Sequence, residues 1–235
     1  MPFVKIAAAF SVMFGALLTP AMAQRNAPLN GQAGDVWRSK RYTPAQVPDV
    51  NKMTAAERGR VVLDGYANCV VRASPRKVTA MLAMPMHSAE AEAASRRLTV
   101  DDCLSGGDLT FDTDVLRGSL YRALYRYEFA TNDSKLQPLS MDTAFNAKVT
   151  AQPNYDPLRR FSECVVRDNA VASRDLVMAA AASTIEQSAF AQLKTSFSTC
   201  MAKGSEVRFS KTVLVGLIAE MLYRLSSPIL AAGSK

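Results

Sequence analysis

Apolar residues return every three or four positions along most of this chain, and no stretch sustains the strict alternation of a half-buried strand. Thr54-Ala-Ala-Glu57 has the form of a capping box and predicts a helix from about residue 55. Within it Val62, Tyr66, Cys69, Val70 and Ala73 make one apolar stripe at helical spacing. Ser74-Pro75 supplies a cap and a first-position proline for a short second helix to about Ala83, which Pro85 ends. Ser88 caps a third helix through Arg97, with a continuation from Thr99 toward Cys103 and a stop at Gly106-Gly107. Phe111 precedes the cap Asp112, and Leu116 stands where a hydrophobic staple needs it. The fourth helix so opened carries Val115, Leu116, Leu120 and Leu124 and runs to about Phe129.

The pattern then comes round again. Tyr66-Ala-Asn-Cys69-Val-Val-Arg72 matches Phe161-Ser-Glu-Cys164-Val-Val-Arg167. Pro157 opens a helix holding Leu158, Phe161, Cys164 and Val165, and a short helix follows from Arg174 to Ala182. Ser183-Thr-Ile-Glu186 is a second capping box, leading into Phe190, Leu193, Phe197, Cys200 and Met201 on one face before Gly204. Phe209 with the cap Ser210 renews the staple. With Phe111 set against Phe209, Val115/Val213, Leu116/Leu214, Gly118/Gly216 and Leu124-Tyr125-Arg126/Leu222-Tyr223-Arg224 are identical. A mid-helix glycine costs about 1 kcal/mol relative to alanine, so a glycine kept at both places predicts the close approach of another helix.

The expected fold is therefore all-α: two tandem copies of one disulfide-linked unit, about four helices each, packed as one two-lobed body. The copies span 54–130 and 157–226, joined by a linker over 131–156 that is rich in turn formers. Residues 24–53 read as an extended or disordered arm anchored by Trp37, and 227–235 as a tail.

The first residues decide the compartment. Lys5, the apolar run Ile6–Leu18 and Ala21-Met22-Ala23 have the pattern of a secretory signal peptide, residues 1–23, cut after Ala23. That run falls short of the roughly 20 residues a membrane span requires. The expectation is a secreted or periplasmic protein that is not transmembrane after cleavage. In such a compartment four cysteines form two disulfides. Duplication favours pairing within each copy, Cys69–Cys103 and Cys164–Cys200, if the ancestral unit was stable alone.

The net charge of +7 comes from lysines and arginines interleaved with acids. It implies mild attraction to an anionic envelope surface, and the dispersion argues against nucleic-acid binding. Chemistry is sparse. One histidine, His87, and no Gly-x-Ser-x-Gly leave little for nucleophile–base catalysis, and no catalytic residue is assigned. The acids read mostly as solvated or capping residues. No cofactor is expected, since zinc and haem spacings and phosphate-binding glycine loops are absent from the sequence.

Three groups are binding candidates. Met81, Met84, Met86 and His87 form a soft donor set suited to Cu(I), against a core-filling role for the methionines. Tyr121, Tyr125 and Phe129 make an aromatic row, expected to pack the copies together, with a ligand platform as the alternative. Arg72 and Arg167 sit one turn after a helical cysteine and read as partly buried structural guanidiniums, or as a clamp for a ligand carboxylate. The leading function is an exported, non-enzymatic cell-envelope protein with a binding or structural role toward an unknown partner. The alternatives are a periplasmic hydrolase using carboxylates and a Met/His copper-binding protein.

Overall fold

The computed structural model describes residues 49–98, 103, 110–130, 155–201 and 209–226. The signal peptide, nearly all of the arm, most of the linker, Gly106-Gly107, Gly204 and the tail lie outside them. Every regular element among the described residues is helical. A 3-10 turn, Val50–Lys52, leads into α1 (Ala55–Ala73), α2 (Pro75–Leu82), α3 (Ala89–Arg97) and α4 (Thr113–Phe129). Then come α5 (Tyr155–Asp168), α6 (Ala170–Met178), α7 (Thr184–Gln192), α8 (Lys194–Cys200) and α9 (Lys211–Ser226).

Local chemistry sets most of these ends. The Thr54 N–H donates to Glu57 Oε2 at 2.8 Å while the Glu57 N–H donates to Thr54 Oγ1 at 3.3 Å, closing the capping box. Asp112 and Ser210 cap α4 and α9, accepting from Asp114 N at 2.8 Å and Val213 N at 3.2 Å. His87 and Ala182 both adopt positive φ, 58° and 61°, immediately before the caps Ser88 and Ser183. Those hydroxyls accept from Ala91 N and Glu186 N, each at 3.1 Å. The left-handed residue turns the chain sharply into the next helix at corresponding places in the first and second halves.

The structure differs from the sequence reading in four places. On α1 the buried face is Leu63, Ala67, Val70 and Val71 with Tyr66 and Asp64, while Val62 is 42% exposed. Val62, Cys69 and Ala73 lie about a third of a turn round from the centre of that face, and the cysteine is only partly buried, at the core's edge. Helix α6 runs Ala170–Met178 rather than Arg174 to Ala182, because Asn169 takes the cap, accepting from Ala172 N at 3.0 Å, and Ala179 is already extended. Helix α5 starts at Tyr155, so Pro157 lies within its first turn instead of opening it. The single helix expected after Ser183 is two helices, separated at Leu193, whose ψ of −5° departs from α geometry.

At the centre stand α4 and α9. Residues 120–126 of the first and 215–223 of the second are buried on every side, as a helix wrapped by neighbours must be. The two cross where Gly118 meets Gly216. A Cβ on Gly118 would fall 2.7 Å from the Gly216 Cα, and one on Gly216 would fall 2.8 Å from the Gly118 Cα. Helix α1 packs on α4 and α5 on α9, and one apolar cluster runs through both halves.

Two disulfides, Cys69–Cys103 and Cys164–Cys200, pin the outer helices with the same 5.7 Å Cα separation. All four cysteines are thereby bonded.

Candidate functional site

Charged side chains are set into the apolar interior. Helix α4 presents Arg117, Arg122 and Arg126 to the core, each 5% exposed. Arg126 Nη1 donates to both oxygens of Asp64 at 2.9 Å, and Arg122 Nη1 lies 3.4 Å from the same carboxylate. Arg122 also reaches the C-terminal carbonyls of α6, donating to Val177 O at 3.1 Å and Ala179 O at 2.7 Å. Arg126 Nε donates to the same Val177 carbonyl at 2.7 Å. Glu186 closes the network: it accepts from Arg60 at 2.6 Å, from Arg122 at 3.2 Å and from Ala182 N at 2.9 Å. These donors satisfy carbonyls that a helix end leaves without partners, at the negative end of its dipole.

The second half holds a matching set. Glu220 Oε1 accepts from Arg159 Nη2 at 2.7 Å and from Arg224 Nε at 2.8 Å. Arg224 Nη2 donates to the Tyr121 hydroxyl at 2.9 Å, which in turn donates to Leu82 O at the end of α2 at 3.1 Å. Arg117 Nη2 donates to the same Leu82 carbonyl and, at 3.3 Å, to Met84 O. Both short helices therefore end on guanidinium chemistry delivered from the central pair.

Burial would raise the Asp64 pKa, but the guanidiniums of Arg126 and Arg122 outweigh it and hold the group below the ordinary value of 3.8. Asp114 moves the other way, raised chiefly by burial despite the nearby His87. Glu128 is also raised by burial, with the Tyr223 hydroxyl opposing at 3.1 Å.

The aromatic row is interior. Tyr121 and Tyr125 are each 1% exposed and Phe129 is half-buried. The Tyr223 ring lies 5.8 Å from Tyr121 and 5.9 Å from Phe129, so the row faces α9. Met81 and Met86 are buried and line one small cavity with His87, while Met84 is half-buried and not part of that lining. His87 Nε2 is engaged by Asp114 Oδ1 at 3.0 Å. Arg167 pairs with Glu163 at 2.7 Å across one turn. Arg72 and Arg167 are both exposed, contrary to the partly buried guanidiniums expected. Among the described residues no three His, Cys, Asp or Glu side chains gather as metal ligands would.

A cavity of about 250 Å³ opens beside the glycine crossing. Asp112, Asp114, Arg117 and Glu220 supply its polar groups, and Met86, Val115, Leu158 and Leu217 line its apolar side. This cavity brings together His87's partner and one of the three methionines but none of the aromatic row.

Sequence reasoning missed the buried acids Asp64, Glu163, Glu186 and Glu220, having placed acids on solvated faces or at caps. Glu186 shows the reason: Ser183 does cap α7, but the carboxylate expected to complete the box reaches Ala182 and two arginines instead. One signal was present. Glu220 is the only charge in the apolar run Val213–Leu222, and a lone charge in such a helix needs a buried partner. Comparison with protein-family models, with curated proteins and with solved structures finds no match to this chain.

Proposed function

We propose that the chain is an exported, non-enzymatic cell-envelope protein with a binding role, built from two tandem copies of one disulfide-linked helical unit. The observation that carries this reading is the correspondence of the two cross-links and of the chemistry around them. Cys69–Cys103 and Cys164–Cys200 close loops of 34 and 36 residues. Paired caps and paired left-handed residues follow in the same order, and each half has a buried acid held by two arginines. Two disulfides suit an oxidising compartment, and among the described residues no helix is long and apolar enough to cross a membrane. The buried carboxylates each hold arginines, which favours structural over proton-transfer roles for them. Among the described residues, the cavity beside the glycine crossing offers space for a ligand.

Recovery of the native protein from fractionated cells, with intact-mass and non-reducing peptide mapping, tests this. The expected result is a chain beginning at Gln24, in the envelope or extracellular fraction, with both disulfides formed within their halves. A full-length chain with four thiols in the cytoplasm, or bridges running between the halves, would overturn it.

A further inference from the structure

The cavity beside the glycine crossing has a specific chemical asymmetry. Arg117 lines it and is 5% exposed, yet among the described residues no carboxylate is recorded within ion-pair distance of its guanidinium. Its Nη2 is occupied by the carbonyls at the end of α2, while its buried Nε has no hydrogen-bond partner. A buried cation without a counter-ion is costly, and Arg117 is the cation on the cavity's lining. One turn earlier, Asp112 and Asp114 place carboxylates on the same cavity. Asp114 is raised by burial and close enough to feel Arg117, but does not bond it.

A simple anion would meet the two aspartates, and a simple cation would meet Arg117. A molecule carrying both charges meets all three, Asp114 also holding His87 Nε2 at 3.0 Å. Glu220, the third carboxylate on the lining, is already held by Arg159 and Arg224; apart from it and Thr212 the remaining wall is largely apolar, with Met86, Val115, Leu158 and Leu217. At about 250 Å³ the space lies just below the roughly 300–1,000 Å³ of pockets for drug-sized ligands. We propose that this cavity binds a small zwitterion with an apolar body, the chemistry of a free apolar amino acid, its carboxylate on Arg117 and its ammonium toward Asp112 and Asp114. The inference rests on the binding role proposed above and names the ligand class for it.

Calorimetric titration of the oxidised mature protein with leucine, methionine, valine and their D-enantiomers tests it, alongside leucinamide and 4-methylpentanoate. The expected result is binding of at least one amino acid, with the analogue lacking either charge about 10–100-fold weaker, as loss of one charged hydrogen bond implies. Arg117→Met should abolish binding and Asp114→Asn should weaken it. Should Arg117→Met not fold, the analogue series on the unaltered protein and the milder Arg117→Lys still decide. No heat with any of these amino acids, or equal affinity for the singly charged analogues, would overturn the proposal and leave Arg117 as a cap for α2 alone. Failure here with an exported, internally cross-linked protein removes the ligand class only; the fractionation result stands or falls separately.

Discussion

The two halves solve one problem with opposite polarity. In the first, the outer helix α1 supplies the acid, Asp64, and the central helix α4 supplies Arg122 and Arg126. In the second, the central helix α9 supplies the acid, Glu220, with Arg224 on the same helix, and the outer helix α5 supplies Arg159. Cys69 set on Cys164 aligns Asp64 with Arg159, and Phe111 set on Phe209 aligns Arg122 with Glu220. Asp64 and Glu220 each hold two guanidiniums, with Glu186 and Arg60 extending the first network, but the acid and one arginine have exchanged helices. Were α1 to lie on α9, Asp64 would face Glu220; were α5 to lie on α4, Arg159 would face Arg122. Like charges buried together are strongly unfavourable, so the reversal makes outer helices of similar apolar pattern non-interchangeable.

The sharpest way to break this comparison is to remove each acid. Glu220→Ala should cost about 3–5 kcal/mol in denaturant unfolding, the usual loss when a buried pair is cut. Asp64→Ala should fall at the low end of that range, because its arginines keep Glu186 and the carbonyls of α6. Equal losses, or the reverse order, would contradict that redundancy. The double change Arg159→Asp with Glu220→Arg gives both halves one polarity. It should cost less than Glu220→Ala, while refolding at high concentration yields a dimer fraction by size exclusion that the parent lacks.

The cross-links should differ least between halves. Replacing either cysteine pair by serine should cost about 2–4 kcal/mol, and the two losses should agree, since loops of 34 and 36 residues have nearly equal closure entropy. A clear inequality in chemical denaturation would mean that one bridge also orders native structure. Gly118→Ala and Gly216→Ala should each destabilise by about 1–3 kcal/mol, because the added methyl meets backbone that no rotamer change moves aside.

The smallest effect is in pH. Asp64 has a folded-state pKa below 3.8, so its contribution is full above the unfolded value and is lost as pH falls through the folded one. Asp114 and Glu128, both raised, have the opposite slope: their contribution is full below the unfolded value and fades as pH rises through the folded one. Asp64→Asn should therefore flatten the acid limb of a stability profile below pH 3.8 and leave the Asp114 and Glu128 region unchanged.

What was legible beforehand was what is local or stated twice. Thr54 and Glu57, or Asp112 and Ser210, act within one turn, so their residue types suffice. Gly118 and Gly216 stood out because both copies keep a residue that helices disfavour, and they prove to touch each other. The charged core was not legible in the same way. Helical periodicity sorts side chains by hydrophobicity, and it places Arg122 or Asp64 outside by default. Their inward position depends on α6 and α7 ending where they do, which is tertiary information. The comparison of halves still held a trace of it, in two aligned positions whose charge changes sign while their neighbours remain apolar.

The contact of Gly118 with Gly216 has a mechanical consequence. Main chain rests on main chain there, so a displacement cannot be absorbed by side-chain rearrangement. The point acts as a fulcrum: tilting one group of helices against the other would swing about it, and the space bounded by Gly118, Gly216 and Arg117 would widen or narrow as the levers moved.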